Sequence, residues 1–142
     1  MPEIIKVKSG NLTEETSSYS RLVVAGDTIY VSNTAGRNYV TRELPEDVAS
    51  QARQALKNIE GALASVGASL GDVVRIRIFV PDRQDKEIVN RIIGETFRGI
   101  DPANTTLCSP LGKPELKVEF EVTAYRRRNP DEPEHRFAVT LG

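Results

Sequence analysis

Apolar residues recur at helical spacing in two segments of the chain. In residues 45–67 they fall every three or four positions, at Val48, Ala52, Ala55, Ile59, Ala62 and Val66. Pro45 and the acidic pair after it suit a first helical turn, and Gly67 is a typical stop. A second helix is predicted from an N-cap at Asp82 to Gly99. Its apolar face comprises Ile88 or Val89, Ile92, Ile93 and Phe97.

Runs of β-branched and alternating residues predict the strands. Residues 21–25 and 28–33, joined by Gly26-Asp27, predict a hairpin. Residues 73–80, 105–109 and 116–125 predict three more strands, and Val74, Ile76, Ile78 and Val80 are expected on one face of the first. We predict a loop at residues 10–18 and a short edge strand at residues 136–141.

The order strand-strand-strand-helix-strand-helix-strand-strand predicts an α+β fold, with two amphipathic helices on one face of a mixed sheet. The other face carries Arg75 and Arg77 on one strand and Glu119 and Glu121 on another. If these strands are neighbours, the charges can pair across the ladder, on a face that is solvated or packed on another subunit. We expect one domain over residues 1–142, with a core at about 18–125 and a charged tail at 126–142.

Composition excludes several classes of protein. The 142 residues are 39% hydrophobic and 27% charged, which is typical of one globular domain, and the net charge of −1 argues against holding nucleic acid mainly by charge. Cys108 is the only cysteine and His135 the only histidine, which argues against a zinc site or a histidine-dependent nucleophile. Cys108 is expected to be a small core residue. No apolar run suits a membrane span or a signal peptide, so we expect a cytoplasmic protein.

Six segments resemble one known family. They are SYS at 18–20, AGDTIYVS at 25–32, QARQALKNI at 51–59, GASLGDVV at 67–74, PANTT at 102–106 and VEFEVTA at 118–124. In this order they resemble the Rid (YjgF) family over most of the chain. The resemblance implies a chorismate-mutase-like fold and a homotrimer with ligand clefts between subunits. In the best-known branch it also implies hydrolysis of reactive enamines and imines to ammonia and a 2-oxo acid, without metal or cofactor.

The resemblance also implies roles for single residues. Glu119 matches the position that holds a water for attack, and a cross-strand salt bridge to Arg75 or Arg77 is the alternative. Tyr19 matches the tyrosine near the cleft, and a buried tyrosine that caps the hairpin is the alternative. Thr106, in the closing motif, is counted with the expected substrate-binding residues.

At two positions the chain departs from the family pattern. Asn104 stands where that branch has an arginine that grips the substrate carboxylate, and asparagine offers neither charge nor a bidentate fork. Asn104 therefore either contacts a neutral ligand or satisfies backbone groups at a strand start. Asn33 stands where glycine is usual and should reshape the pocket. Arg37 and Arg21 are the candidate replacement cations, and a solvated surface charge is the alternative for each.

Three functions are compatible with these residues. The first is hydrolysis of a small enamine, imine or related nitrogen compound that lacks the usual carboxylate. The second is a non-catalytic module that senses or carries a small metabolite. The third and weakest is RNA cleavage, a label that some family members carry, because the chain is nearly neutral and has only eight aromatic residues.

Overall fold

A computed structural model describes residues 3–142. Its strands are β1 (Ile4–Val7), β2 (Leu22–Ala25), β3 (Thr28–Ala35), β4 (Val73–Val80), β5 (Ala103–Cys108) and β6 (Glu119–Tyr125). Its α-helices are α1 (Leu12–Thr16), α2 (Val48–Ala64) and α3 (Lys86–Thr96). No helix among these residues is long and apolar enough to cross a membrane.

The six strands form one mixed sheet in the order β1-β2-β3-β6-β4-β5. Only β4 and β5 pair in parallel, with α3 as the crossover between them, and the other pairs are antiparallel. The hairpin of β2 and β3 forms as predicted, with Ala25 opposite Thr28. The expected α+β class is confirmed, with a short additional helix, α1.

Helices α2 and α3 pack on each other, and α2 covers β3 and β6 of the sheet. The Asp47 side chain accepts a hydrogen bond from Ser50 N and begins α2, so Pro45 precedes the helix rather than lying in its first turn. The buried layer between sheet and helices includes Ala52, Ile59, Ile76 and Phe120. In α3, Val89 is buried and Ile88 is exposed, which settles the alternative left open by the sequence.

Three sequence predictions about the strands need correction. Val74 is 51% exposed rather than inward-facing, because the pairing of β4 with β6 shifts register between Val73 and Arg75. Strand β6 begins at Glu119, since Lys117 N donates to Gln51 Oε1 at 2.9 Å and ties the preceding segment to α2. Residues 136–141 form no strand.

Two further expectations about chain segments are wrong. The predicted loop at residues 10–18 contains α1, which begins where Asn11 Oδ1 accepts a hydrogen bond from Thr13 N. Cys108 is exposed rather than a core residue, because it ends β5 at the edge of the sheet.

The charged pairing across the open sheet face is present in part. Arg77 lies opposite Glu121, and its Nη1 is 3.6 Å from Glu121 Oε1. Arg75 lies opposite Thr123, and Glu119 lies opposite Phe79. The predicted alternative for Glu119, a salt bridge to Arg75 or Arg77, is therefore wrong, and Glu119 has other neighbours.

Candidate functional site

A polar cavity of about 260 Å³ opens where β3 and the start of β6 meet the segment after β1. It is lined by Asn11, Thr13, Tyr19, Arg21, Asn33, Ala35, Arg37, Tyr39, Gly112, Lys113, Leu116 and Glu119. Five residues singled out from the sequence thus meet in one place: Tyr19, Arg21, Asn33, Arg37 and Glu119. The volume suits a ligand of a few heavy atoms.

Glu119 is the only carboxylate among the lining residues. It begins β6, where Ala35 of β3 lies opposite, and its Oε1 accepts a hydrogen bond from Asn33 Nδ2 at 2.7 Å. Burial raises the pKa of the Glu119 carboxyl, and the nearby charge of Arg21 opposes part of that rise. A carboxyl with a raised pKa titrates closer to neutral pH, where it can give or take a proton.

Asn33 lies in the irregular part of β3, where the pairing with β6 shifts register between Val31 and Thr34. Such an irregularity re-aims side chains relative to a regular strand. Its Nδ2 reaches Glu119, whereas its Oδ1 is buried and accepts no hydrogen bond from residues 3–142.

Arg21 is a buried cation behind Asn33. It is 5% exposed, and its guanidinium donates to Tyr39 Oη at 2.7 Å and to the Asn33 backbone oxygen at 3.1 Å. Its Nε lies 3.9 Å from Oε2 of Glu14, a carboxylate with no exposed surface that also accepts hydrogen bonds from Ser9. Arg21 is therefore not a solvated surface charge, and that alternative for it is wrong.

The remaining lining residues add aromatic and positive groups. The Tyr19 ring stacks under Arg21, whose guanidinium carbon is 5.6 Å from the ring centre. Arg37 donates through Nη1 to the Arg42 backbone oxygen at 2.8 Å and is partly exposed. With Arg21 and Lys113, three cations and one carboxylate line the cavity.

Asn104 and Thr106 lie outside this cavity. Both are on β5, at the edge of the sheet, separated from β6 by β4. Asn104 is exposed, and Thr106 Oγ1 lies 3.4 Å from its Oδ1. Thr106 instead lines a separate hollow of about 410 Å³ with Val80, Arg83, Lys86, Leu107 and Cys108.

Sequence reasoning missed the Glu14 carboxylate beside Arg21 and seven of the lining residues, among them Tyr39 and Lys113. Glu14 stands in a polar segment read as a loop, and nothing in its neighbours marks it for complete burial. Tyr39 and Lys113 lie in irregular segments whose path only the tertiary structure sets. Within residues 3–142 no group of three or more His, Cys, Asp or Glu side chains could hold a metal ion.

The fold and the cavity together define a class: an α+β protein with a small polar cavity at the ends of the two central strands of a mixed sheet. Residues 11–126 match the model of the Endoribonuclease L-PSP family. The chain belongs to this family, also known as the YjgF or Rid family, and the resemblance read from its motifs is confirmed.

Curated relatives and solved structures agree with this assignment. The chain is 31% identical over 124 residues to the 2-iminobutanoate/2-iminopropanoate deaminase of Escherichia coli, covering 85% of this chain and 97% of the relative. It is 32% identical over 104 residues to the deaminase of the same name from Dermatophagoides farinae, covering 72% and 81%. Rv2704 of Mycobacterium tuberculosis, a YjgF/YER057c/UK114 family member, superposes with a TM-score of 0.79 at 36% identity, covering 87% of this chain and 99% of that one.

Proposed function

We propose that this protein hydrolyses a small enamine or imine, or a related reactive nitrogen compound, in the cavity around Glu119. The observation that carries the proposal is a single half-buried carboxyl with a raised pKa, set among polar and cationic groups in a cavity of small-ligand size. The deaminases named above, which share about a third of their residues with this chain, support the same reaction class.

The proposed reaction needs only one acid–base group. Glu119 takes a proton from water as the water oxygen bonds to the carbon of the C=N group. That proton passes to the nitrogen and gives a tetrahedral carbinolamine. Glu119 then takes the hydroxyl proton and passes it to the same nitrogen, so that the C–N bond breaks, ammonia leaves and the C=O group forms. A positioned carboxyl serves this sequence because it both orients the water and carries its proton.

The substrate is proposed to differ from the usual 2-imino acids. Their carboxylate needs a charge-assisted and preferably bidentate partner, which Asn104 does not provide. The Arg21 guanidinium already donates hydrogen bonds to Tyr39 and Asn33 and lies beside Glu14. Of the two candidate replacement cations, Arg37 is therefore better placed to bind a carboxylate. Because Asn104 supplies neither charge nor a bidentate fork, we propose little wild-type activity on 2-iminopropionate or 2-aminoacrylate. Full activity on them would instead identify Arg37 or Arg21 as the carboxylate partner.

The working form is proposed to be a homotrimer with clefts between copies. Asn104 and Thr106 are remote from Glu119 within one chain, so they would join the site only across an interface. The sheet face that carries Arg77 and Glu121 offers a second surface for packing. Light scattering should give about three times the 15.7 kDa chain mass at micromolar concentration, and a monomer mass would rule the trimer out.

The activity test measures ammonia or 2-oxo acid release at equal enzyme concentration. Wild type, Asn104→Arg, and Asn104→Arg with Asn33→Gly are compared on 2-imino acids generated in a coupled assay. Asn104→Arg should raise the activity, and the double variant more so if the Asn33 side chain obstructs the pocket. Wild-type turnover equal to that of an arginine-bearing relative would refute the altered-substrate proposal.

One observation favours a second candidate, a binding module without catalysis. Asn33 Nδ2 already occupies Glu119 Oε1 at 2.7 Å, and a carboxylate oxygen that holds an amide is less free to hold an attacking water. Absence of ammonia release from every variant, together with ligand binding in the cavity, would favour this function over hydrolysis.

A further inference from the structure

A buried ion pair lies directly behind the wall of the cavity. Glu14 has no exposed surface and Arg21 is 5% exposed, and Arg21 Nε is 3.9 Å from Glu14 Oε2. Taking two charges out of water is costly, and a well-packed apolar pair of similar volume is often as stable. Stability alone therefore does not account for this pair. The Arg21 guanidinium also donates to Tyr39 Oη and lies over the Tyr19 ring, so it is held at the cavity from several sides.

Arg21 is linked to Glu119 through a single residue, Asn33. The guanidinium donates to the Asn33 backbone oxygen at 3.1 Å, and Asn33 Nδ2 donates to Glu119 Oε1 at 2.7 Å. Asn33 lies where the pairing of β3 with β6 shifts register, so the regular ladder does not fix its backbone there. The hydrogen bond from Arg21 supplies that restraint. With Oε1 held by Asn33, Oε2 is the Glu119 oxygen left for a water or a ligand.

The charge of Arg21 also acts on Glu119. Burial raises the pKa of the Glu119 carboxyl, and the positive charge of Arg21 lowers it. Arg37 and Lys113 line the same cavity, but Arg37 Nη1 donates to the Arg42 backbone oxygen and Lys113 is exposed. Exposed charges are screened by water and salt, whereas a buried charge is screened much less.

The strands beside Glu119 contribute one apolar and one paired group. Phe79 of β4 lies opposite Glu119 and carries no charge. Glu121, two residues further along β6, is paired with Arg77 at 3.6 Å. Arg21 is therefore the buried cation that acts on Glu119.

We propose that Arg21 is a positioning residue for Glu119: it clamps the Asn33 backbone and sets a buried positive charge behind the carboxylate, while Glu14 anchors Arg21. To take the first proton from water, the carboxylate must be both ionised and fixed in place. The inference rests on the proposed function only for this acid–base role of Glu119.

The link is read first in the wild-type protein, without turnover. Carbon NMR of glutamate-labelled protein follows the ionisation of Glu119 with pH, and Glu119→Gln identifies its signal. The Asn33 side-chain amide, which is bonded to that carboxylate, should shift with the same midpoint. The Arg21 Nε–H signal, which is buried, should do so as well. Absence of either response would overturn the inference.

Variants then test the direction of the effect. Arg21→Gln should move the Glu119 midpoint to higher pH and uncouple the Asn33 amide from it. Glu14→Gln combined with Arg21→Gln removes both buried charges, and it should give the same result if the single variant does not fold. Arg53→Gln, at an exposed arginine on α2, is the matched control and should change neither signal. A folded Arg21 variant with the wild-type midpoint would overturn the inference.

Turnover separates this role from a ligand contact. On 2-iminopropionate, in the Asn104→Arg background, Arg21→Gln should lower kcat about tenfold or more with KM little changed. It should also move the acid limb of the pH profile to higher pH, and Arg21→Lys, which keeps the charge, should leave that limb near its original position. A loss confined to KM would make Arg21 a ligand contact and overturn the inference.

The two proposals fail in different ways. NMR coupling of Arg21 to Glu119 with no ammonia release would refute the hydrolase and leave the link between these residues standing. Ammonia release with the same kcat and pH profile after Arg21→Gln would overturn the role of Arg21 and leave the hydrolase standing.

Discussion

Replacing Arg21 by glutamine perturbs the buried network behind the cavity. The change removes the positive charge that faces Glu14, and Glu14 has no exposed surface through which water could compensate it. It also removes the guanidinium donors to Tyr39 Oη and to the Asn33 backbone oxygen. The Ser9 backbone and hydroxyl donors to Glu14 remain.

The expected loss of stability follows from this geometry. Removing one partner of a buried ion pair typically costs about 3–5 kcal/mol, because the other charge stays buried without compensation. Glu14→Gln combined with Arg21→Gln removes both charges and should cost less than Arg21→Gln alone. The difference should appear as a coupling of about 1–3 kcal/mol between the two positions.

Urea denaturation followed by circular dichroism measures these free energies of unfolding. The matched control is Arg77→Gln, which breaks the half-exposed pair with Glu121 at 3.6 Å and should cost no more than about 1 kcal/mol. If Arg21→Gln cost as little as Arg77→Gln, the buried network would not hold the cavity wall and the reasoning would be refuted.

Three further predictions test the core, the close approach of strand and helix, and the Glu119 carboxyl. Ile59→Ala should lower the free energy of unfolding by about 2–5 kcal/mol, because it leaves a cavity between α2 and the sheet. Glu46→Ala, before the helix, should lower it by about 1 kcal/mol at most. Equal losses of unfolding free energy in the two variants would contradict the assigned helix face. Gly36→Ala should destabilise the protein by about 1–3 kcal/mol, because the added Cβ would overlap the Gln51 backbone. Gly61→Ala, in open space on α2, should stabilise it by about 0.5–1 kcal/mol. Similar melting temperatures for the two variants would argue against the close approach of Gly36 to α2. The raised pKa of Glu119 means that the folded state binds the proton more tightly, so the contribution of Glu119 to stability should fall as pH rises from the ordinary carboxyl pKa through the folded one. Over that window Glu119→Gln should gain stability relative to wild type, and an opposite trend in this difference, measured by denaturation across pH, would contradict the burial effect.

Local patterns in the sequence determine much of the architecture. The three- and four-residue spacing of apolar side chains predicts α2, and the alternation over residues 73–80 predicts β4 with its observed bounds. The hairpin around Gly26 can also be predicted from the sequence, because it depends on a short turn. The charge pair of Arg77 with Glu121 can be predicted because alternate residues of a strand share one face. The motifs shared with the family are equally local, which is why they could be read without a structure.

The site itself depends on contacts that no local pattern encodes. Asn33 and Glu119 are 86 residues apart in the chain, and they meet only because β3 pairs with β6 and shifts register just before the cavity. The burial of Glu14 depends on its contact with Arg21, which directly precedes β2. In the sequence, a glutamate in a polar segment has the same neighbours whether its side chain is solvated or buried. Sequence alone grouped Asn104 and Thr106 with Glu119, whereas strand order places β4 between them within one chain. The sequence therefore determines which elements form, and their pairing and register decide which polar groups lose water together and become a site.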